Sequence, residues 1–242
     1  MSKGQLQAKG AHGFWPANGD GDDIVLWTDE TAKTELCRLP MLRQQRDRGE
    51  GVSCECLADF VAPIDSGIVD GVGAFAVTTG LGVDELVRGF EKDLDDYQAI
   101  MTKALADRLA EAFAEFLHRR SRVLWGLESE ENWVVDDLLA EKFTGIRPAF
   151  GYPACPDHGP KQQIFDLLDA PALGMSLTES GAMLPAASVS GLYFFHPQTH
   201  YFGIGPVDRD QVEDYATRTA CSVEDVERRL SASLGYDPET PS

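Results

Sequence analysis

The chain has 242 residues, 43% of them hydrophobic and 25% charged, the composition of a globular domain with room for a core. Its formal net charge of −19 argues against a nucleic-acid partner and an anionic membrane surface, because phosphate binding needs a dense basic face; most of the acid reads as solubility. No stretch approaches the roughly 20 apolar residues that cross a bilayer, and the opening residues lack the apolar run of a signal peptide, so a cytoplasmic protein is expected.

In chain order, residues 1–12 read as a flexible lead, 13–238 as a single domain and 239–242 as a C-terminal tail. Three early segments, 23–28, 55–63 and 72–79, read as strands punctuated by glycine and aspartate. The five cysteines are odd in number and irregularly spaced, unlike a disulfide framework. Cys54 and Cys56 fall two apart in an expected strand and so point the same way; buried free thiols are the reading. From 83 to 118 the period changes to about 3.6, with Leu86, Phe90, Leu94, Tyr97, Met101, Leu105, Leu109, Phe113, Phe116 and Leu117 as the apolar positions. Gly80-Leu81-Gly82 precedes this run, which predicts one long helix, or two with a bend, lying across a sheet on that stripe.

A short helix is expected over 134–143, and a further one over 161–168. Residues 188–195 and 201–207 read as a strand pair with His196-Pro197-Gln198-Thr199 in the turn. Helices over 209–218 and 222–234 close the chain, the latter capped by Ser222 with Glu224 and Asp225 behind it. The class is α+β: a curved, mostly antiparallel sheet with flanking helices, one of them long.

Three stretches carry candidate chemistry. The first is Arg147-Pro148-Ala149-Phe150-Gly151-Tyr152-Pro153-Ala154-Cys155-Pro156-Asp157-His158, where three prolines stiffen a loop that can present main-chain groups. Arg147 offers a planar fork for a carboxylate, and Tyr152 a ring and a hydroxyl; a purely structural proline-rich turn is the alternative. Cys155 and His158 make at most half a zinc site, which needs about four ligands, and no elbow motif supports them as nucleophile and base. The second stretch is Asp107-Arg108-Leu109-Ala110-Glu111, whose two acids share one helical face; the alternative is a solvated acidic face. The third, residues 177–191, is dominated by small residues, as where another body approaches the backbone. Tyr201-Phe202 follows it, beside a turn, and could stack on a flat ring. There is no dinucleotide motif or P-loop.

Taken together, Phe14-Trp15-Pro16-Ala17-Asn18, Gly21-Asp22-Asp23-Ile24, Cys56-Leu57-Ala58-Asp59-Phe60-Val61-Ala62-Pro63, Gly73-Ala74-Phe75-Ala76-Val77-Thr78, the segment 103–112, the loop 147–158, residues 177–196 and Asp210-Gln211-Val212-Glu213-Asp214-Tyr215-Ala216 resemble the activation domain of cobalamin-dependent methionine synthase. The resemblance runs in order from Phe14 almost to the end. It implies a domain that docks on a cobalamin module, presents S-adenosylmethionine above the cobalt and remethylates it after accidental oxidation. The implied partners are a cobalamin-binding methionine synthase subunit and a flavodoxin-like or other electron donor.

The domain's contribution in that family is orientation rather than acid–base catalysis, so no catalytic residue is expected. Arg147, the main chain at Ala149, Tyr201 and Phe202 resemble the family's S-adenosylmethionine contacts. Asp107, Glu111 and Tyr152 resemble residues that face the corrin. Two departures stand out. The family's domain has an earlier segment with an acidic residue for the ligand's amino group, and no cobalamin, folate or homocysteine module accompanies this chain. A split enzyme is the expectation, with a ligand-free docking scaffold, or a reactivator of another corrinoid methyltransferase, as alternatives. The basic cluster His118-Arg119-Arg120-Ser121-Arg122 is either a dock for an acidic electron donor or a favourable placing of cations at a helix C-terminus.

Overall fold

The protein is described from a computed structural model covering residues 6–46, 49, 51–129, 134–140 and 142–238; the expected tail 239–242 lies outside the described residues. In chain order the elements are β1 (Gln7–Asp20), β2 (Asp23–Trp27), β3 (Glu35–Pro40), β4 (Asp70–Leu81), α1 (Val83–Lys92), α2 (Asp96–Leu124), α3 (Val135–Leu139), α4 (Lys161–Leu167), β5 (Ser176–Leu177), β6 (Met183–Leu184), β7 (Ser188–Tyr193), α5 (Arg209–Thr219) and α6 (Val223–Arg229). Five strands hydrogen-bond in the order β3-β2-β1-β4-β7, and β5 pairs with β6. Both β1–β2 and β2–β3 are antiparallel, and the class is α+β, as expected.

β1 already begins at Gln7, where a flexible lead was expected to run on to residue 12. Its early part has no apolar alternation to announce a strand. Main-chain hydrogen bonds to its neighbours hold it instead, and these need no particular side chain. Gly10 permits the fit: a Cβ there would come within 2.7 Å of Val77 and 3.2 Å of Phe113.

Residues 55–63 are not a strand. They form a 3-10 turn, Leu57–Phe60, and Ile64–Ser66 forms a second. Asp59 decides this locally, since its carboxylate accepts from the Cys56 N–H at 2.9 Å while the Asp59 N–H donates to the Cys56 carbonyl at 3.0 Å. Arg43 then clamps the same carboxylate at 2.7 Å. Cys54 and Cys56 therefore share no strand face. All five thiols are free; Cys56 and Cys155 are buried, but Cys221 is exposed.

The chain forms two compact units. In the first (residues 1–13, 74–144 and 161–193), the 83–118 run is two helices rather than one. Leu94 adopts φ 57°, and the Asp95 carboxylate then caps α2 by accepting from the Gln98 N–H at 3.1 Å. The face that α2 buries is not the expected stripe. Ala99, Thr102, Ala106, Ala110 and Ala114 are at most 4% exposed, whereas Tyr97, Leu105, Leu109 and Phe116 are 42–68% exposed. Small side chains let the helix backbone approach the strands: the Thr79 hydroxyl donates to the Ala106 carbonyl at 2.7 Å. β7 packs on the same helix.

At the far end of α2 the His118 ring stacks on Tyr193 (5.1 Å, 7°), which stacks in turn on Phe75 (4.8 Å, 12°). Arg122 lies 3.8 Å over the ring of Phe143. Arg122 Nε and Arg119 Nε donate to the two oxygens of Glu128 at 2.9 and 3.0 Å. Within the basic cluster His118 and Arg122 are buried and Arg119 pairs with Glu128, while Arg120 stays exposed, which weighs against the alternative of a three-arginine dock for an acidic donor.

The second unit (14–73, 145–160 and 194–242) is built on β2, every residue of which is buried. The carboxylate of Asp23 at its start is compensated by Arg38 at 3.3 Å and by Arg218, as a buried charge requires. Leu42, Ile204, Val207, Val212, Tyr215, Ala216, Val226 and Leu230 form its core beside α5 and α6. Ser222 caps α6 as expected, accepting from the Asp225 N–H at 3.1 Å. Residues 201–207 are not the expected strand: Gly205 has φ 75°, Val207 makes only an isolated bridge with Leu234, and the segment is held by Ile204 N–H donating to the Pro153 carbonyl at 2.9 Å and Gln44 Nε2 donating to the Gly203 carbonyl at 2.8 Å.

The reversed burial of α2 makes a direct prediction. Ala106→Leu forces a branched side chain into a 0% exposed site and should cost about 2 kcal/mol in urea unfolding. Leu109→Gln should change stability by no more than about 0.5 kcal/mol. Equal losses would put Leu109 back on the buried face.

Candidate functional site

The loop from Gly145 to Pro160 is irregular, so each of its polar main-chain groups needs a specific partner. Gly145 (φ 104°) passes so close to the Phe194 carbonyl that a Cβ would lie 2.9 Å from it. Ile146 then exchanges two hydrogen bonds with Phe194, at 3.0 and 3.1 Å. The next N–H, that of Arg147, donates to the Tyr201 hydroxyl at 3.1 Å. Beyond it a tight turn closes on itself: Tyr152 N–H donates to the Ala149 carbonyl at 3.3 Å, Gly151 N–H to the Cys155 carbonyl at 2.8 Å, and Cys155 N–H to the Tyr152 carbonyl at 2.9 Å.

Gly151 is indispensable to that turn. It has φ 93°, and a Cβ on it would lie 2.0 Å from Cε1 of His158. The ring of His158 is thus laid against the glycine, which gives it a packing role. Cys155 Sγ donates to the Ala149 carbonyl at 3.1 Å, and the residue is 5% exposed, a structural placement rather than that of a nucleophile. Neither residue behaves as half of a zinc site, and among the described residues no three His, Cys, Asp or Glu side chains gather as metal ligands.

Inward, the loop buries Phe150 and Ala154; outward, it presents Tyr152, 62% exposed. Arg147 and Ala149 are half-buried. The Tyr152 ring borders a cleft of about 380 Å³ that Pro153, Pro156, Ile204, Pro206 and Leu234 also line. Tyr201 is 52% exposed, but Phe202 turns inward against the unit's core. The Phe202 ring lies 6.1 Å from Phe60 and 6.1 Å from His200, and His200 Nε2 is 2.7 Å from Glu55 Oε1. Phe202 is half-buried, like Arg147 and Ala149, and packs on the core while its neighbour Tyr201 stays exposed. The loop and the turn thus bring Arg147, Ala149, Tyr152 and Tyr201 into one unit, with Phe202 as support beneath them.

Asp107 and Glu111 belong to the other unit. Both are exposed on α2, one turn apart, and they border a groove of about 420 Å³ with Arg108, Ala187, Ser188 and Val189. The opposite wall comes from the small-residue stretch singled out in the sequence. Its hairpin is closed by Thr178 N–H donating to the Ala182 carbonyl at 2.8 Å and braced by the buried Lys161, whose Nζ donates to the Gly181 carbonyl at 2.8 Å. Arg108, which sequence reasoning passed over, places a cation between the two acids along the helix. The spacing i, i+1, i+4 was there to be read, but only the groove shows which side matters.

Two outcomes test this geometry. Gly151→Ala should destabilise the protein by at least about 2 kcal/mol, from the positive φ and the collision with His158, and pairing it with His158→Ala should recover part of the loss in a double-mutant cycle. Burial raises the Cys56 thiol to about 12, so limited alkylation of the folded protein should modify the exposed Cys221 and spare Cys56. Equal labelling would mean that the Leu57–Phe60 turn opens readily.

A family model described as "Vitamin B12 dependent methionine synthase, activation domain" matches residues 1–220. A crystal structure of the MetH reactivation domain bound to AdoHcy superposes with a TM-score of 0.93 at 53% sequence identity, covering 96% of this chain and 72% of that one. Among the described residues no helix is long and apolar enough to cross a membrane. With the family model spanning most of its length, this chain belongs to the activation domains of vitamin B12-dependent methionine synthase.

Proposed function

We propose that this chain holds S-adenosylmethionine on the 147–152 loop and, in the cytoplasm, reactivates a cobalamin-dependent methionine synthase whose cobalamin sits on a separate module. The observation that carries this reading is the hydrogen bond from the Arg147 N–H to the Tyr201 hydroxyl at 3.1 Å. It joins the main chain at Arg147 to the phenol of Tyr201, and so brings that ring beside the half-buried Arg147 and Ala149. That set fits an amino-acid nucleoside: a planar fork for the carboxylate, main-chain groups for polar edges, and a ring face for the base. The solved relative, at 53% identity, carries AdoHcy, the product such a methyl transfer leaves.

When bound, S-adenosylmethionine would supply a sulfonium methyl for the reduced cobalt of the partner module, with a flavodoxin-like or other donor as the source of the electron. The protein's residues orient and shield. Arg147 and the Ala149 main chain hold the amino-acid and nucleoside ends, and Tyr201 covers the ring. Each unit offers its own residues to a corrin: Tyr152 from the loop of the one, Asp107 and Glu111 from α2 of the other. Two acids beside neutral amide donors accept hydrogen bonds without needing a counter-charge, which suits a neutral macrocycle better than an anionic one. Holding a methyl in line with a strong nucleophile is itself worth several kcal/mol of barrier, so no acid or base from this chain is needed.

Calorimetric titration of S-adenosylmethionine, with and without the cobalamin-binding subunit, tests the reading. Arg147→Ala should weaken binding about tenfold or more, the loss of a charge-assisted contact. Binding that appears only with the subunit present would mean that the site is completed at the interface. Absence of binding in both settings would leave docking alone, as a ligand-free scaffold of the complex.

A further inference from the structure

We infer that the buried carboxylate of Asp157, gripped by Tyr215 and Arg229, is the positioning group that locks the ligand-bearing loop onto α5 and α6. The inference rests on the reading that this loop holds the ligand, and it deepens that reading by naming what fixes the loop's geometry.

Asp157 is only 3% exposed. Its Oδ2 accepts from the Tyr215 hydroxyl at 2.9 Å and pairs with Arg229 Nη1 at 3.2 Å, while Oδ1 accepts from the Gly159 N–H at 2.9 Å. A carboxylate taken out of water is tolerated only where such partners are in place, so this arrangement leaves Asp157 one position. Burial and the adjacent carboxylate push the Tyr215 hydroxyl well above its ordinary range, which keeps it a proton donor. Space is equally tight: a Cβ on Gly159 would lie 2.4 Å from Arg229 Nη1.

What Asp157 holds is the distal end of the loop. The proximal end is pinned by the Ile146–Phe194 pair and by Tyr201. The next residue, His158, lies against Gly151, so a fixed Asp157 sets the ring that seats the Ala149–Cys155 turn. The hydroxyl of Tyr215 is otherwise surplus in a core of Val212, Val226 and Leu230, and the acceptor it uses comes from the loop. α5 has anchors of its own: Gln211 accepts from the Arg43 N–H at 2.6 Å and donates to the Arg43 carbonyl at 2.9 Å, and Arg218 donates to the Met41 carbonyl at 3.1 Å. Removing the hydroxyl should therefore free the loop without releasing the helix.

The test uses the full chain and the variants Tyr215→Phe, Asp157→Asn, Arg229→Ala and Arg229→Lys, read by hydrogen–deuterium exchange and by titration of S-adenosylmethionine with the cobalamin-binding subunit present. Tyr215→Phe should speed exchange at Gly151 and Cys155 about tenfold, leave α5 at wild-type rates, and weaken binding about five- to tenfold, the expectation for one lost hydrogen bond to a charge. Arg229→Lys should restore more of the affinity than Arg229→Ala. Loop exchange at the wild-type rate, or acceleration shared equally by α5, would overturn the assignment, the latter because it would mark a general loss of stability. If the loop responds as expected while even the wild type binds nothing, the positioning role stands and the ligand reading falls.

Discussion

How closely α2 can approach its sheet governs what the first unit presents. Ala99, Ala106, Ala110 and Ala114 give that helix a face with almost no side-chain depth, and the Thr79 hydroxyl reaches the Ala106 carbonyl directly. A face of leucines would stand the helix off by the depth of their side chains. With the alanines inward, Asp107 and Glu111 come to border the wall at Ala187 and Ser188. The larger side chains, Leu105, Leu109 and Phe116, are turned outward as a consequence. The acids are therefore placed by the alanines that neighbour them on the helix.

The second unit meets a different constraint with the same economy of means. A loop that presents main-chain groups to a ligand cannot satisfy them with a helix or ladder, so its remaining polar groups must be locked elsewhere. Here the locks come from the hydroxyl of Tyr201, the thiol of Cys155 and the carboxylate of Asp157. Each is a side chain spent on geometry, and only Tyr201 among them also has an exposed face to offer.

Charge is handled consistently in both units. Several arginines are turned toward acids: Arg43 toward Asp22 and Asp59, Arg218 toward Asp23 and Asp214, Arg119 and Arg122 toward Glu128. Of these acids only Asp23 is buried and needs its partner for that reason; the other acids lie nearer the surface, where such pairs add little net stability. With 40 acids against 21 lysines and arginines, the chain presents a strongly acidic surface at a formal −19. A partner that approaches such a surface must bring neutral donors or positive charge.

The amino-acid sequence by itself determined the α+β class, the positions of most helices, the capping of α6 by Ser222, and the family, through the ordered motifs from Phe14 onward. It also marked Arg147 and Tyr152, in a loop that three prolines stiffen, and Tyr201, beside a turn, while Ala149 came from the resemblance to the family. Only the tertiary structure decided the rest. β1 is held by main-chain bonds that leave no trace in side-chain pattern. The 55–63 segment curls because Asp59 caps a turn and Arg43 holds it. The apolar period of α2 names the wrong face, since periodicity reports where large side chains recur but not how near a helix must lie to its neighbour. No local signal announces that Phe202, His118 and Arg122 pack inward, because that depends on partners distant in sequence: Phe60 for the first, Tyr193 and Phe143 for the other two. Asp157 found Tyr215 and Arg229 across the same gap, and no spacing along the chain could have paired them.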